Sequence, residues 1–343
     1  MNGRMLEKLM ILLITYTFVF PIHAQQIVEY EPLDDVLLAS DIRTLQNATL
    51  KLAPGVYELA DQLRFDPDDN LIIEGAGSGF GPNATVLDFL IYSERNEDAR
   101  ALSVRGGVTI RNLTILNAGG RAMDLRTGLI EAPSEEPVIF ENVWFINCQT
   151  VFKSTGGRTV GAPEAPMVVS HCVAAITKDY PATFGTPQSV INLRDTSYAT
   201  FDHCDFFNRQ ELMHLVINDP AAAPNEGPNV VVANSILLGN NGSGGEELTD
   251  DLYIDAGKVR IENSVLWDAE AAGALEKTGA GTLEIINSVA NDPLYAQVTA
   301  DSALAALDFN LRNDSPALGL GKDGLNAGSV AARPAEVGSW ALY

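Results

Sequence analysis

The residues of this sequence best suited to chemistry are basic and polar side chains that alternate with apolar ones in short segments. The basic and amide members of this set, in chain order, are Arg105, Arg126, Lys153, Asn192, Arg194 and His214. Tyr253 and the carboxylates Asp124, Asp255 and Glu276 occupy equivalent alternate positions. Because successive side chains of a β-strand point to opposite sides, these residues are predicted to form an exposed row on one side of a sheet.

This combination of residues suits the recognition and cleavage of an acidic sugar chain. The predicted substrate-binding residues are Arg105, Arg126, Asn192 and Arg194. A guanidinium binds a carboxylate through two parallel hydrogen bonds, so a row of arginines suits a chain of uronates. Cleavage by β-elimination also needs a base for the sugar C5 proton and an acid for the leaving oxygen. Lys153 or His214 is predicted to be the base, and Tyr253 the acid.

Calcium is the one cofactor that the sequence brings into consideration. Asp124 and Asp255 are its candidate ligands, and the acidic segment 242–251 adjoins Asp255. Calcium prefers oxygen ligands, which these residues supply. The spacing matches no calcium-binding loop, and a solvated acidic turn explains the segment equally well.

The basic row also has a purely structural explanation, because the solvent face of any β-solenoid carries lysine and arginine paired with carboxylates. Two classes of function therefore stay open. The first is a polysaccharide lyase that binds and cleaves a uronate-containing chain. The second is a non-catalytic carbohydrate-binding or cell-envelope protein.

A repeated phrase determines the elements that position these residues. The phrase occurs seven times and consists of an apolar residue, any residue, an Asn or His, two further residues and a second apolar residue. The Asn or His of each copy, called its anchor, is Asn112, Asn142, His171, His203, Asn234, Asn263 or Asn287. Consecutive anchors are 24 to 32 residues apart. A fixed period of β-type phrases predicts stacked coils. A further apolar alternation in each interval, such as GALEK (273–277) in the last one, predicts a third strand. The sequence thus predicts an all-β, single-domain right-handed parallel β-helix.

The anchors are predicted to form an internal Asn/His ladder at a bend between two strands. A buried amide at a bend is satisfied by the backbone and by the equivalent side chain one coil away. The same role is predicted for His171 and His203, rather than catalysis. Cys172 and Cys204 follow these two histidines, and either a disulfide or two buried thiols is compatible with their spacing.

The chain termini carry separate signals. Residues 1–24 resemble a cleaved secretory signal peptide, with a basic start and a short apolar run, so the β-helix is expected to span residues 27–343. A short helix around Leu33–Ser40 is predicted to cap the first coils. Segments 308–321 and 336–343 are predicted to close the other end.

Local motifs resemble the pectin-lyase-like superfamily of right-handed β-helices. SYATFDHCDFFNRQELMHLVIND (197–219) is similar to a coil of pectate lyases, and VTIRNLTILNAGG (108–120) with FINCQTVFKSTGGR (145–158) is similar to parts of pectin methylesterases. The methylesterase pattern has Asp where Thr150 follows Gln149, so an esterase site is not expected. The resemblance implies a polysaccharide substrate on the outer side of the strand preceding the short turn.

The charge of the chain bears on its partners. The formal net charge is −23 at pH 7, which disfavours non-specific binding to nucleic acid or to an anionic membrane. With a signal peptide and no second apolar span, the protein is predicted to be secreted or periplasmic. It is expected to be a monomer.

Overall fold

The computed structural model of the chain describes residues 26–66, 70–90, 100–118, 121–125, 128–129, 137–148, 150–154, 158–162, 165–176, 189–194, 197–208, 211–216, 228–239, 251–269, 271–297 and 308–329. The predicted signal peptide (1–24), most of the acidic segment 242–251 and the final segment 336–343 lie outside these residues. None of the helices within the described ranges is long and apolar enough to span a lipid bilayer.

The described strands stack into three long faces, and the chain visits the three faces in turn. The first face comprises Gln26–Tyr30, Ala48–Leu52, Leu71–Gly75, the first halves of Val108–Leu116 and Val138–Ile146, Met167–Ser170, Ala199–Asp202, Val230–Ala233, Lys258–Glu262 and Thr282–Ile286. The second face comprises Gly55–Glu58, Thr85–Asp88, the second halves of the same two long strands, Val173–Ile176, Asp205–Asn208, Ile236–Gly239 and Val265–Asp268. The third face comprises Leu63–Phe65, Arg100–Val104, Arg121–Leu125, Phe152–Ser154, Ser189–Arg194, Glu211–Val216, Leu252–Ala256 and Lys277–Thr278.

Neighbouring strands within each of the three faces are parallel, as stacking of successive coils requires. Among the described residues, antiparallel pairing between strands is confined to short additions, which join Gly128–Leu129 to Arg158–Thr159 and Tyr295–Gln297 to Asp308–Leu311, and one isolated antiparallel bridge joins Asp268 to Gly273. This topology is that of a parallel β-helix, so the predicted fold class is confirmed. A right-handed sense is the one that parallel crossover connections almost always take.

The seven anchor residues form the bend between the first and second faces. All seven have left-handed backbone conformations, with φ between 47° for Asn287 and 57° for Asn112. Asn tolerates this region better than other residues with a side chain, because its short amide can bond locally. The repeat of Asn therefore reflects a sharp turn made once in every coil.

The predicted ladder is present, but most of it lies at the rim of the bend rather than inside the coil. Asn142 Nδ2 donates to Asn112 Oδ1 at 2.9 Å, and the rings of His171 and His203 stack with centroids 5.1 Å apart. Most anchor side chains are half-buried or exposed; those of His203 and Asn234 are buried. A left-handed residue turns its own side chain outward and points the next one into the coil.

The internal ladder consists of the residues that directly follow the anchors. In successive coils from the third anchor onward these are Cys172, Cys204, Ser235, Ser264 and Ser288. Each serine Oγ accepts a hydrogen bond from the backbone N–H one coil earlier, at 3.0 to 3.1 Å for the three serines. All three cysteines are buried free thiols. Burial, followed by the neighbouring Cys172, raises the pKa of the Cys204 thiol.

The core between the three faces is filled by stacked apolar side chains. The rings of Phe140, Phe145, Phe152, Phe201 and Phe206 contact one another at centroid distances of 5.1 to 6.0 Å. All five are fully buried, so they anchor both halves of the repeated phrase and the third face to one core.

The first coils are capped as predicted. A 3-10 turn at Pro32–Asp34 leads into the α-helix Asp35–Asp41, which places the fully buried Leu38 and Ile42 against the core. Tyr57 Oη donates to the backbone carbonyl of Tyr30 at 2.8 Å and ties the cap to the first coil. The predicted third strand 273–277 was wrong: the strand is Lys277–Thr278, because the chain first makes a tight turn in which Asp268 bridges Gly273.

The end of the described chain does not close the last coil, contrary to prediction. Residues 308–329, named here the C-terminal strap, run back along the outer side of the second face and include the 3-10 turn Lys322–Gly324. Phe309 packs on Trp144, and Ala317 packs on Ile236 and Val265. The strap lies on this side because the outward residues of the second face are themselves apolar, and leaving them in water would be unfavourable.

Candidate functional site

Strand pairing on the third face brings five of the predicted chemical residues, Asp124, Lys153, Asn192, His214 and Tyr253, into one row. The residues paired by Cα register in successive coils are Arg64, Ser103, Asp124, Lys153, Asn192, His214, Tyr253 and Thr278. Adjacent members are about 4.8 Å apart, the spacing of paired strands. The row predicted from alternation alone is thus present, with Thr278 in the place expected for Glu276.

A second row lies two residues further along the same strands. Arg194 follows Asn192 on Ser189–Arg194, so both side chains leave the same side of the sheet, and Arg194 pairs with Val216. The register shifts after Leu215, which removes Asp255 from this row and pairs Val216 with Ala256 instead. Arg126 lies outside the described residues.

The predicted solvent exposure of the row is wrong at its centre. Lys153 is 5% exposed and Asn192 1% exposed, and Ser103 is 3% exposed. Tyr253 and Arg194 are half-buried, and Asp255 is exposed. Alternation fixes the direction in which a side chain leaves the sheet but not what covers it. The centre of the row is therefore an enclosed polar site rather than an open groove.

Two polar atoms at this centre are buried without a partner. Among the described residues, Asn192 Oδ1 accepts no hydrogen bond and Arg194 Nε donates none. Asn192 Nδ2 donates to Ser189 Oγ at 3.3 Å, and the Arg194 backbone N–H donates to Ser154 Oγ at 2.6 Å. Both residues are therefore held in place, while one acceptor and one donor remain unused. Each buried polar group left without a partner destabilises the fold by about 1–3 kcal/mol.

A charged cluster at the start of the row combines the predicted Arg105 with Arg64 and Asp66, which the sequence analysis missed. Asp66 Oδ1 accepts from Arg64 Nε at 2.8 Å and lies 3.7 Å from Arg105 Nη1. The side chains of Arg64 and Arg105 are 41% and 34% exposed, so this end of the row is open to solvent. The alternation of Leu63, Arg64 and Phe65 carries the same signal as the later strands, but the segment precedes the first copy of the repeat.

The two predicted calcium ligands do not converge. Asp124 belongs to the row, whereas Asp255 lies four coils further along, which corresponds to about 19 Å at the spacing of paired strands. One ion cannot contact both carboxylates at the usual ligand distances. Within the part of the chain that the structure describes, no group of three or more His, Cys, Asp or Glu side chains could hold a metal ion.

The two ladder histidines form a separate cluster on another side of the coil. His203 Nδ1 lies 3.1 Å from Asp202 Oδ1, which also accepts from Asn234 Nδ2 at 2.7 Å. Burial, followed by the charge of His203, lowers the pKa of His171. Burial acts to raise the pKa of Asp202, but bonding to His203 and Asn234 outweighs it and the pKa is lowered. These residues lie on the bend and not on the third face, as their predicted structural role requires.

Two solved structures are similar to this chain at low identity. A pectin methylesterase from Aspergillus niger is 14% identical, with 76% of this chain and 83% of that chain covered and a TM-score of 0.45. The pectate lyase Pel9A is 12% identical, with 89% and 96% covered and a TM-score of 0.46. No protein-family model and no curated protein matches the sequence. The site must therefore be interpreted from its own residues.

Proposed function

We propose that the outer side of the third face binds a uronate-containing polysaccharide and cleaves it by β-elimination. The observation that carries this proposal is the pair of unused polar atoms, Asn192 Oδ1 and Arg194 Nε, beside the buried Lys153. One acceptor, one charge-bearing donor and one ammonium in adjacent positions suit a ligand that carries a hydroxyl group and a carboxylate. Each uronate of an acidic polysaccharide carries both.

The net charge of the whole chain supports the assignment of this face as the binding site. At a net charge of −23, the molecule repels a polyanion everywhere except at a local concentration of cations. The third face provides one, because Arg64 and Arg105 at the open end are followed, across successive paired strands, by Lys153 and Arg194. An acidic chain entering at the open end would thus meet positive side chains in several consecutive coils.

The proposed reaction assigns one role to each of the predicted residues. Arg105, Arg126 and Arg194 bind carboxylates of different uronates along the chain, and neutralising the carboxylate of the cleaved uronate makes its C5 proton more acidic. Lys153 or His214 removes that proton, and its electron pair forms the C4–C5 double bond. The C4–oxygen bond breaks, and the leaving oxygen takes a proton from Tyr253. No step is assigned to calcium, because Asp124 and Asp255 cannot share one ion.

Burial of Lys153 favours a second candidate function, which is binding without cleavage. A base must reach the proton that it removes, and a lysine that is 5% exposed can instead serve as a fixed positive charge. In that case the enclosed row would recognise the sugar chain and release it unchanged. Both candidates place the ligand on the same residues, so they differ in turnover and not in location.

The deciding experiment is a turnover and binding screen on pectate, alginate and glycosaminoglycans, each with calcium and with a chelator. Ultraviolet absorbance of the unsaturated uronate is the expected product signal. Retained binding with no product on any substrate would support the binding protein. Absence of both binding and product on all three classes would contradict the assignment of this face to acidic polysaccharides.

A further inference from the structure

The outer side of the second face carries one ionisable residue in an otherwise apolar row. Cα pairing across successive coils gives the order Trp144, Val173, Asp205, Ile236 and Val265. The C-terminal strap covers this row, and Asp205 is 1% exposed beneath it. A carboxylate in such surroundings must be compensated by hydrogen bonds or remain protonated.

The Asp205 carboxyl is contacted by Tyr295 and by Ser329, both from the C-terminal part of the chain. Tyr295 Oη donates to Oδ1 at 2.5 Å, the Ser329 backbone N–H donates to Oδ2 at 2.7 Å, and Ser329 Oγ contacts Oδ2. Gly328, at φ 100°, allows this approach, since a Cβ there would lie 2.6 Å from Oδ1. The carboxyl thus binds the end of the strap to the middle of the solenoid.

We propose that the C-terminal strap is a pH-sensitive closure of the second face, which docks tightly while Asp205 is protonated and loosens when it ionises. The hydroxyl groups of Tyr295 and Ser329 can each rotate to accept a hydrogen bond from the protonated carboxyl. Ionisation places a full charge among Val173, Ile236 and the apolar strap. Release of the strap returns that charge to water and uncovers the apolar row.

The direction of the effect follows from linkage. Burial raises the pKa of Asp205 to about 6, although hydrogen bonds from Ser329 and Tyr295 act to lower it. With the strap released, the carboxyl returns to its ordinary value near 3.8. Docking therefore takes up a proton between these values, and the docking equilibrium weakens as pH rises through about 6. Between about pH 5 and about pH 8 the expected loss is about tenfold.

Other ionisable groups near the strap act in different pH ranges or in the opposite direction. Burial raises the pKa of Tyr295 well above its usual range, as it does for Cys204, so neither loses its proton near pH 6. His171 lies on the bend beside Asp202 and His203, close to the Asn234 that binds the strap. Its pKa is lowered, so its contribution to stability is lost as pH falls. Lys322 on the strap is exposed.

Hydrogen exchange of the full chain, corrected for the intrinsic effect of pH on amide exchange, tests this device. In the parent, protection of residues 308–329 should fall about tenfold between about pH 5 and about pH 8, while residues 48–66 keep theirs. Asp205→Asn, which cannot ionise, should remove the slope. His171→Asn, which restores the usual ladder residue away from the carboxyl, should retain it.

Tyr295→Phe provides an independent variant in case Asp205→Asn fails to fold. Loss of the tyrosine hydroxyl removes a hydrogen bond that lowers the pKa of Asp205, so the midpoint of the transition should move to higher pH. Protection of the strap that is flat with pH in the parent would overturn the proposal. An unchanged slope in Asp205→Asn, or an unmoved midpoint in Tyr295→Phe, would overturn it as well.

Discussion

The second face and the centre of the third face both bury outward side chains, yet the two faces differ in whether their buried polar groups have hydrogen-bond partners. On the second face, the Asp205 carboxyl receives hydrogen bonds from Tyr295 and from Ser329. On the third face, Asn192 Oδ1 and Arg194 Nε have no partner among the described residues. The second face is completed by the protein's own chain, whereas the third face retains polar capacity for a ligand.

This difference separates a structural surface from a candidate binding surface without reference to any relative. Burial alone does not distinguish them, because Asp205 and Asn192 are both 1% exposed. The distinction lies in whether the buried polar atoms are satisfied, since an unsatisfied group is a cost that a folded protein normally avoids. Each of the following predictions tests whether the two faces differ in this way.

The largest effect is expected for the proposed base on the third face. Lys153→Ala should lower turnover of an acidic polysaccharide by about 100-fold or more, because general-base catalysis contributes on that order. Initial rates of product absorbance measure the effect, with circular dichroism as a check on folding. Lys51→Ala, at an exposed lysine on the first face, should leave the rate unchanged. Equal losses in the two variants would remove Lys153 from the catalytic role.

The next effect concerns the bend where the strap is bound. Asn234→Leu should destabilise the fold by about 3 kcal/mol, because it strains a left-handed residue and leaves polar partners unsatisfied. Those partners are Asp202 Oδ1 and the Lys322 backbone N–H, at 2.7 Å each. Urea unfolding measures the change, and Asn287→Leu, at the exposed last anchor, should cost clearly less. Similar costs at the two anchors would contradict this account of the ladder.

A smaller effect is expected for ligand affinity on the third face. Arg194→Ala should weaken binding of an acidic polysaccharide about tenfold, the loss expected for one charge-assisted hydrogen bond. Titration calorimetry at low and high salt measures it, and added salt should narrow the difference between parent and variant. Arg111→Ala removes a half-buried arginine that contacts Glu74 on the first face, and it should leave affinity intact. Equal weakening by both would indicate non-specific attraction.

The smallest effect is a change in stability at the centre of the row. Asn192→Leu should alter the free energy of unfolding by less than about 1 kcal/mol, because the substitution keeps the shape of the side chain and removes an unsatisfied atom, which offsets loss of the 3.3 Å hydrogen bond to Ser189 Oγ. Urea unfolding of Asn192→Leu beside Asp205→Leu compares the two faces directly. The second variant should be much less stable, since Ser329 and Tyr295 lose their partner. If Asn192→Leu is as damaging as Asp205→Leu, the third face is structural as well.

The sequence was sufficient to predict the coils and the third-face row because both follow from periodicity. Lys153, Asn192 and His214 could be aligned without a structure, since each occupies the same alternate position of its coil. Alternation also predicted that Arg194 shares their side of the sheet. It failed in the last coil, where the interval between anchors shortens to 24 residues and a turn displaces the strand to Lys277–Thr278.

What covers each face could not be predicted from the same pattern. Segments such as VAAI (173–176) and ILLG (236–239) are apolar without interruption, which is typical of strands buried on both sides. Such a pattern does not identify the covering segment, because packing of the strap depends on contacts distant in sequence, such as Ser329 with Asp205. The burial of Lys153 escaped prediction for the same reason.

The strap also constrains the number of coils that lie beneath it. Its contacts extend from Trp144, which packs on Phe309, to Pro293, whose carbonyl accepts from Ser315 Oγ. Between these points the strap has a fixed length, so adding or deleting one coil there would move its binding points by about 4.8 Å. Whole-coil insertions and deletions among relatives should therefore concentrate in the N-terminal third of the solenoid.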